Sequence, residues 1–149
     1  MSIWISPTGG SGTDWNDIGN AYDDNESSKA ASSANIGWTY WVELTVPPLL
    51  CDKIRFKAYF GSPSVQAGVV EVYYEGAYHS VYTGDYLNRT WVEKDLIPGS
   101  PGQAKTVSKI RFMFLCGEFT VAELYEVDFN QVQSVIPNMM KHYRNMRVA

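Results

Sequence analysis

The chain of 149 residues is short of positive charge: 12 Lys and Arg stand against 16 Asp and Glu, for a formal charge of -4. Wide contact with nucleic-acid phosphates needs a basic surface, so nucleic acid is not expected as a partner. Long apolar runs are also missing. No segment approaches the roughly 20 residues that a membrane-spanning helix needs, so no membrane insertion is expected. The opening MSIWISPTGG has neither a basic start nor an apolar stretch and predicts synthesis in a cytoplasm without a secretory signal. Cysteine is scarce. Cys51 and Cys116 each lie inside an apolar run at a spacing that suits no zinc motif, and they read as two buried thiols or as one disulfide. The two histidines, His79 and His142, have no Ser, Cys or Asp at a recognised catalytic spacing. Gly9-Gly10-Ser11-Gly12 lacks the Lys and the helix of a phosphate loop. Asp23 and Asp24 are adjacent in a turn rather than held across a cleft as a catalytic pair. These absences argue against an enzyme.

Aromatics are abundant, with ten Tyr, six Phe and five Trp, and such residues favour strands. Period-two alternation runs through most of the chain. In Trp41 to Val46, Val42, Leu44 and Val46 share one face, and Pro47-Pro48 is expected to end the strand. In Cys51 to Phe60, Ile54, Phe56 and Ala58 oppose Lys53, Arg55 and Lys57. Gln66 to Tyr74 and Ala77 to Tyr82 flank Glu75-Gly76 as a tight hairpin. Thr90 to Leu96, Thr106 to Cys116 and Phe119 to Phe129 complete the set, with Ile110, Phe112, Phe114, Leu124 and Val127 as core candidates. With a first strand over Ser2 to Ser6, ended by Pro7 and a Gly-rich turn, the total is about eight strands and no convincing helix before Asn130. The fold class is all-β: an antiparallel sandwich or jelly roll over residues 1–130, followed by an arm over 131–149.

Two stretches fall outside this alternation. The first is the long polar segment from Asp14 to about Gly37, whose centre reads Asp23-Asp24-Asn25-Glu26-Ser27-Ser28. Asp, Asn and Ser bond their own backbone and make turns, and the same oxygens packed closely can wrap calcium. The second is the arm, which carries Lys141, Arg144 and Arg147 with no acid after Asp128, together with Met139, Met140, Tyr143 and Met146. After Pro137 a short helix would place Met139, Tyr143 and Met146 on one face. Such a segment is either a frayed or self-docked terminus or an assembly contact.

In order along the chain, these motifs resemble a known family. Ala21-Tyr22-Asp23-Asp24-Asn25-Glu26-Ser27-Ser28 is similar to the Ala-x-Asp-Gly-Asn-x-x-Thr turn of discoidin-type (coagulation factor 5/8 type C) galactose-binding-like domains. Trp41-Val42-Glu43-Leu44 resembles that family's Trp-x-x-Val-Asp-Leu strand, Lys53 to Phe56 its next core strand, and Val107 to Phe112 and Leu124 to Val127 its late strands. The resemblance implies an eight-stranded jelly-roll sandwich. It also implies one structural calcium ion beneath the acidic turn, held here by Asp23, Asn25, Ser28 and Glu126. Asp24 stands where Gly is usual and Ser28 where Thr is usual; the extra carboxylate either replaces a carbonyl ligand or faces water. Trp4 to Gly9, Glu75 to Tyr78, Trp91 to Lys94 and Tyr125 to Phe129 further resemble small virion proteins of tailed bacteriophages built on this fold.

Two functions are therefore expected. The first is a non-enzymatic structural or decoration protein of a tailed-phage virion, a capsid or tail accessory assembled in the host cytoplasm. It would bind other virion proteins and copies of itself through Met139, Met140, Tyr143, Arg144, Met146 and Arg147. The alternative is a carbohydrate-binding module or adhesin that stacks cell-surface glycan on loop aromatics. Its candidate contacts are Trp15, Trp38, Tyr40, Tyr59, Tyr78, His79 and Trp91, with core or strand-edge packing the alternative for most of them and Trp15 and Trp38 better placed than Trp91.

Overall fold

The computed structural model describes residues 2–60, 66–84 and 87–133. Its strands are β1 (Ser2–Ile5), β2 (Gly9–Gly12), β3 (Trp15–Asn16), β4 (Ala30–Ser32), β5 (Asn35–Trp38), β6 (Val42–Phe60), β7 (Gln66–Tyr74), β8 (Ala77–Gly84), β9 (Leu87–Asp95), β10 (Lys105–Thr120) and β11 (Glu123–Val132). A short 3-10 helix, Ile18–Tyr22, joins β3 to β4. Every strand pairing is antiparallel. The expected all-β jelly-roll sandwich is what the chain forms, with more strands than expected. The additions, β2 to β5, lie in the stretch read as a turn and a long loop.

One strand builds both sheets. The first part of β6 pairs with β2 and β10, and β10 continues to β7 and β8. The second part pairs with β9 and β11. Pro47-Pro48, expected to end a strand, instead bends it. The register with β10 shifts there, from Lys109↔Thr45 to Val107↔Leu49, so the prolines fall where the ladder needs no donor. Both are exposed.

The inward faces are those the alternation marks. Leu44, Ile54, Phe56, Ile110, Phe112, Phe114 and Phe129 are fully buried between the sheets. Each such side chain contributes roughly 1.5–3 kcal/mol of transfer free energy. Phe112 lies edge-on to Phe56 at 5.3 Å and stacks on Phe114 at 6.2 Å. Cys51 and Cys116 are buried free thiols, and burial pushes Cys51 up to about 12.

β11 departs from alternation, for Glu123 through Asn130 are all buried. One face lies on the core, and the other is covered by the acidic segment and the 3-10 helix. β11 ends by pairing with β1 at Ser2↔Val132, two residues beyond the domain boundary expected at 130. The arm residues Met139, Met140, Tyr143, Arg144, Met146 and Arg147 lie outside the described residues.

Candidate functional site

Two regions of the polar N-terminal segment gather chemistry. The first is a cleft of about 230 Å³ lined by the exposed Asp14, Ser33, Ala34, Trp38 and Tyr40 and by the buried Ser32 and Thr39. Its backbone is pinned from below. The pairing Trp15↔Ser32 joins β3 to β4, and the Ser33 N–H donates to the Asp14 carbonyl at 2.8 Å. The Thr39 N–H donates to the Phe114 carbonyl at 2.8 Å, and the Phe114 N–H returns a bond to Thr39 Oγ1 at 3.1 Å. The Ser32 hydroxyl accepts from the Ala122 N–H at 2.8 Å. Ser32 and Thr39 are thus spent on the scaffold. Above them Trp38 is 45% and Tyr40 62% exposed. The side chains of Asp14, Ser33 and Tyr40 make no hydrogen bond or ion pair among the described residues.

Trp15, expected at a sugar face, belongs to the core at 6% exposure. Its indole N–H donates to the Tyr40 carbonyl at 2.9 Å, and its ring packs on Phe114 at 6.2 Å. A ring so covered offers no face for stacking; it props up the loop that presents Tyr40. Tyr78 and His79 also lie elsewhere, on β8. The Tyr78 ring covers the Arg111 guanidinium at 3.8 Å and its hydroxyl donates to Glu43; burial pushes its phenol above the usual range. His79 stacks on Tyr74 at 3.9 Å. Trp91 donates its indole N–H to Glu26 at 2.9 Å, and Tyr59 lies under Arg89 at 4.2 Å. Of the expected sugar contacts, the cleft unites Trp38 and Tyr40. It adds Asp14 and Ser33, which sequence reasoning missed.

The second region is an acidic centre on β11, along the stretch of edge between its pairings with β4 and β1. Asp23, Asn25, Ser28 and Glu126 come together there. The Ser28 hydroxyl donates to Asp23 Oδ2 at 2.5 Å, and the Asn25 N–H lies 3.0 Å from Asp23 Oδ1 and 3.1 Å from Glu126 Oε1. The Ser27 N–H donates to Asn25 Oδ1 at 2.9 Å. The turn reading is thereby satisfied, since these side chains bond their own backbone. Two further acids approach Glu126, one oxygen each of Asp24, Glu126 and Asp128 lying within 4.8 Å of one another. Ser6 Oγ donates to Asp24 Oδ1 at 2.8 Å, and Arg55 Nε to Asp128 Oδ2 at 2.8 Å. Ser28 holds the Asp23 carboxyl below its ordinary value. Burial, then the hydrogen bond with Asp23 and the charges of Asp128 and Asp23, pushes Glu126 up to about 8. Carboxylate oxygens of Asp24, Glu126 and Asp128 gathered at one place are donors of the kind a hard cation such as calcium takes, and of the four expected ligands Glu126 is the one among them.

Among solved structures, the chain is similar to the family 32 carbohydrate-binding module of NanJ from C. perfringens, in complex with galactose. That match has 11% identity, covers 88% of this chain and 100% of that one, and has a TM-score of 0.64. It is also similar to the family 32 module of AlyQ in complex with 4,5-unsaturated mannuronic acid (12% identity, 85% and 97% covered, TM-score 0.60). A third is chitosan-binding module 1 of a chitosanase/glucanase from Paenibacillus sp. IK-5 (14%, 87% and 92%, 0.58). No protein-family model and no curated protein matches the sequence. At these identities the likeness is one of fold: the galactose-binding-like jelly roll.

Proposed function

We propose that the chain is a non-catalytic carbohydrate-binding module that docks a terminal sugar in the cleft of Asp14, Ser33, Trp38 and Tyr40. The observation that carries this reading is the division of labour at the cleft. Buried groups fix its backbone, and the side chains at its mouth stand exposed on that scaffold. Stacking on an aromatic face beside fixed polar groups is how a protein holds a sugar ring. The shared fold with modules solved in complex with galactose and with an unsaturated mannuronate supports it. Hydrolysis of a glycosidic bond ordinarily uses two carboxyl groups, and the cleft lining carries one, which supports a binding role. Immobilised-glycan screening followed by calorimetry tests the reading. Trp38→Ala and Tyr40→Ala are each expected to weaken binding at least tenfold, a loss of about 1.4 kcal/mol, while melting stays near wild type. Full binding by both variants would remove the cleft from consideration.

For the acidic centre we propose one structural calcium ion held by Asp23, Asn25, Ser28 and Glu126, with Asp24 and Asp128 adding charge. The ion would supply no reaction chemistry; it would tie the acidic turn to β11, and calcium-dependent melting checks it. The arm residues through which a virion role would act lie outside the described residues.

A further inference from the structure

We propose that the cleft discriminates by charge, taking a protonated amino sugar in preference to its neutral N-acetyl form and disfavouring uronates. This rests on the glycan-binding reading and adds the chemical class of ligand. The lining of the cleft contains one carboxylate, Asp14, and neither Lys nor Arg. Asp14 has no hydrogen-bonding or ionic partner for its side chain among the described residues. Glu43, Glu71, Glu75, Glu123 and Asp128, by contrast, are each engaged by a Tyr, Lys or Arg.

The position of Asp14 is fixed although its side chain is not. Its backbone takes the left-handed conformation at φ 57, its carbonyl is held by Ser33, and the next residue is the buried Trp15. The backbone of Asp14 is therefore held at the rim of the cleft that Trp38 and Tyr40 also line, and its exposed carboxylate is carried from that fixed point. At about 230 Å³ the cleft is smaller than the roughly 300–1,000 Å³ of sites for drug-sized ligands, which suits a single terminal residue.

Three ligand classes then rank by elementary electrostatics. A sugar ammonium gains a charge-assisted hydrogen bond to Asp14. A neutral acetamide gains an ordinary one. A uronate brings a second carboxylate to a site without a cation, on a chain of formal charge -4. Because Asp14 is exposed, the gain is the modest one of a solvent-facing pair, about three- to fivefold in affinity, and salt screens it.

The experiment is calorimetry of the full chain with three probes: a glucosamine oligomer, its fully N-acetylated counterpart and an oligomannuronate. Titrations run at low salt and at a pH where the amine is protonated. Wild type is expected to bind the glucosamine oligomer about three- to fivefold tighter than the acetylated one, and the uronate most weakly. Asp14→Asn keeps a residue that tolerates a positive φ and should equalise the first two. Glu93→Gln removes the same charge from β9, away from the cleft, and should leave the preference intact. Equal binding of amine and acetamide by wild type, or a preference that survives Asp14→Asn, overturns the inference while the glycan reading stands. Silence from all three sugars overturns the inference, and the glycan reading then stands or falls on the immobilised-glycan screen.

Discussion

At the scale of single residues, two tryptophans in one polar segment have opposite duties. Trp15, between Asp14 and Asn16, and Trp38, between Gly37 and Thr39, both lie where no period assigns a face. What separates them is pairing at a distance: Trp15 sits in a two-residue strand against Ser32, beneath the Tyr40 carbonyl, while Trp38 pairs with Leu115 and remains exposed. Local pattern holds no trace of so short a strand. Trp15→Ala is accordingly expected to destabilise the fold by about 3–5 kcal/mol, as for a large aromatic removed from a core, and to cost sugar binding through the freed Tyr40 loop. Urea unfolding checks it; near-wild-type stability would return Trp15 to the surface. Asp14 and Ser33 were equally invisible, because their meeting depends on the same strand pair. Glu126 was legible only through the order of family motifs. It lies 101 positions from Asn25, whose backbone N–H it accepts.

At the scale of elements, alternation located the strands that bury one face and wet the other, and it failed where that premise failed. β11 is buried on both faces because the acidic segment lies over it, so its Glu, Asp and Asn occupy a face that alternation alone would give to solvent. β2 failed for the opposite reason. Gly9-Gly10-Ser11-Gly12 has almost no side chain to show a period, yet it pairs with β6 from Thr45 to Val42. A Cβ on Gly10 would stand 2.8 Å from both Ile18 and Leu44, so the glycine is there for close approach rather than for turning. β6 was read as two strands because proline usually ends one. The register shift opposite Pro47-Pro48 is a tertiary arrangement that the dipeptide alone does not announce.

For the molecule as a whole, the acidic centre sets how stability responds to solution conditions. With divalent ions chelated, Glu126 titrates at about 8 in the folded protein against an ordinary 4.5. A raised folded value means that the native state holds its proton more tightly than the unfolded chain. This contribution is therefore full below about 4.5 and is lost as pH rises towards about 8. The lowered Asp23, held by Ser28, acts in the other direction, contributing above its ordinary value of 3.8 and fading as pH falls. Melting in chelator is thus expected to decline between mildly acidic and mildly alkaline pH, and Glu126→Gln, which mimics the protonated acid, should flatten that decline. An unchanged slope in the variant would place the titrating group elsewhere. Calcium should reverse the trend by replacing the proton. At a hundredfold excess over Kd it should add about 2.7 kcal/mol, or roughly 5–10 °C for a domain of this size. Glu126→Gln should lose that gain. Identical curves with calcium and with chelator would leave the four residues as turn and packing groups.

The strand that belongs to both sheets also fixes where load would travel. Gln131 pairs with Cys51, and Cys51 with Lys105, so the chain leaves β11 at one pole of the sandwich. Trp38, beside the cleft, pairs with Leu115 near the far end of β10. At about 3.4 Å per residue these points lie roughly 30 Å apart along the strand. A pull between the cleft and the end of β11 would run lengthwise along these strands. Interstrand hydrogen bonds run across the strands, so such a pull shears the β10, β6 and β11 ladders together instead of unzipping them one bond at a time.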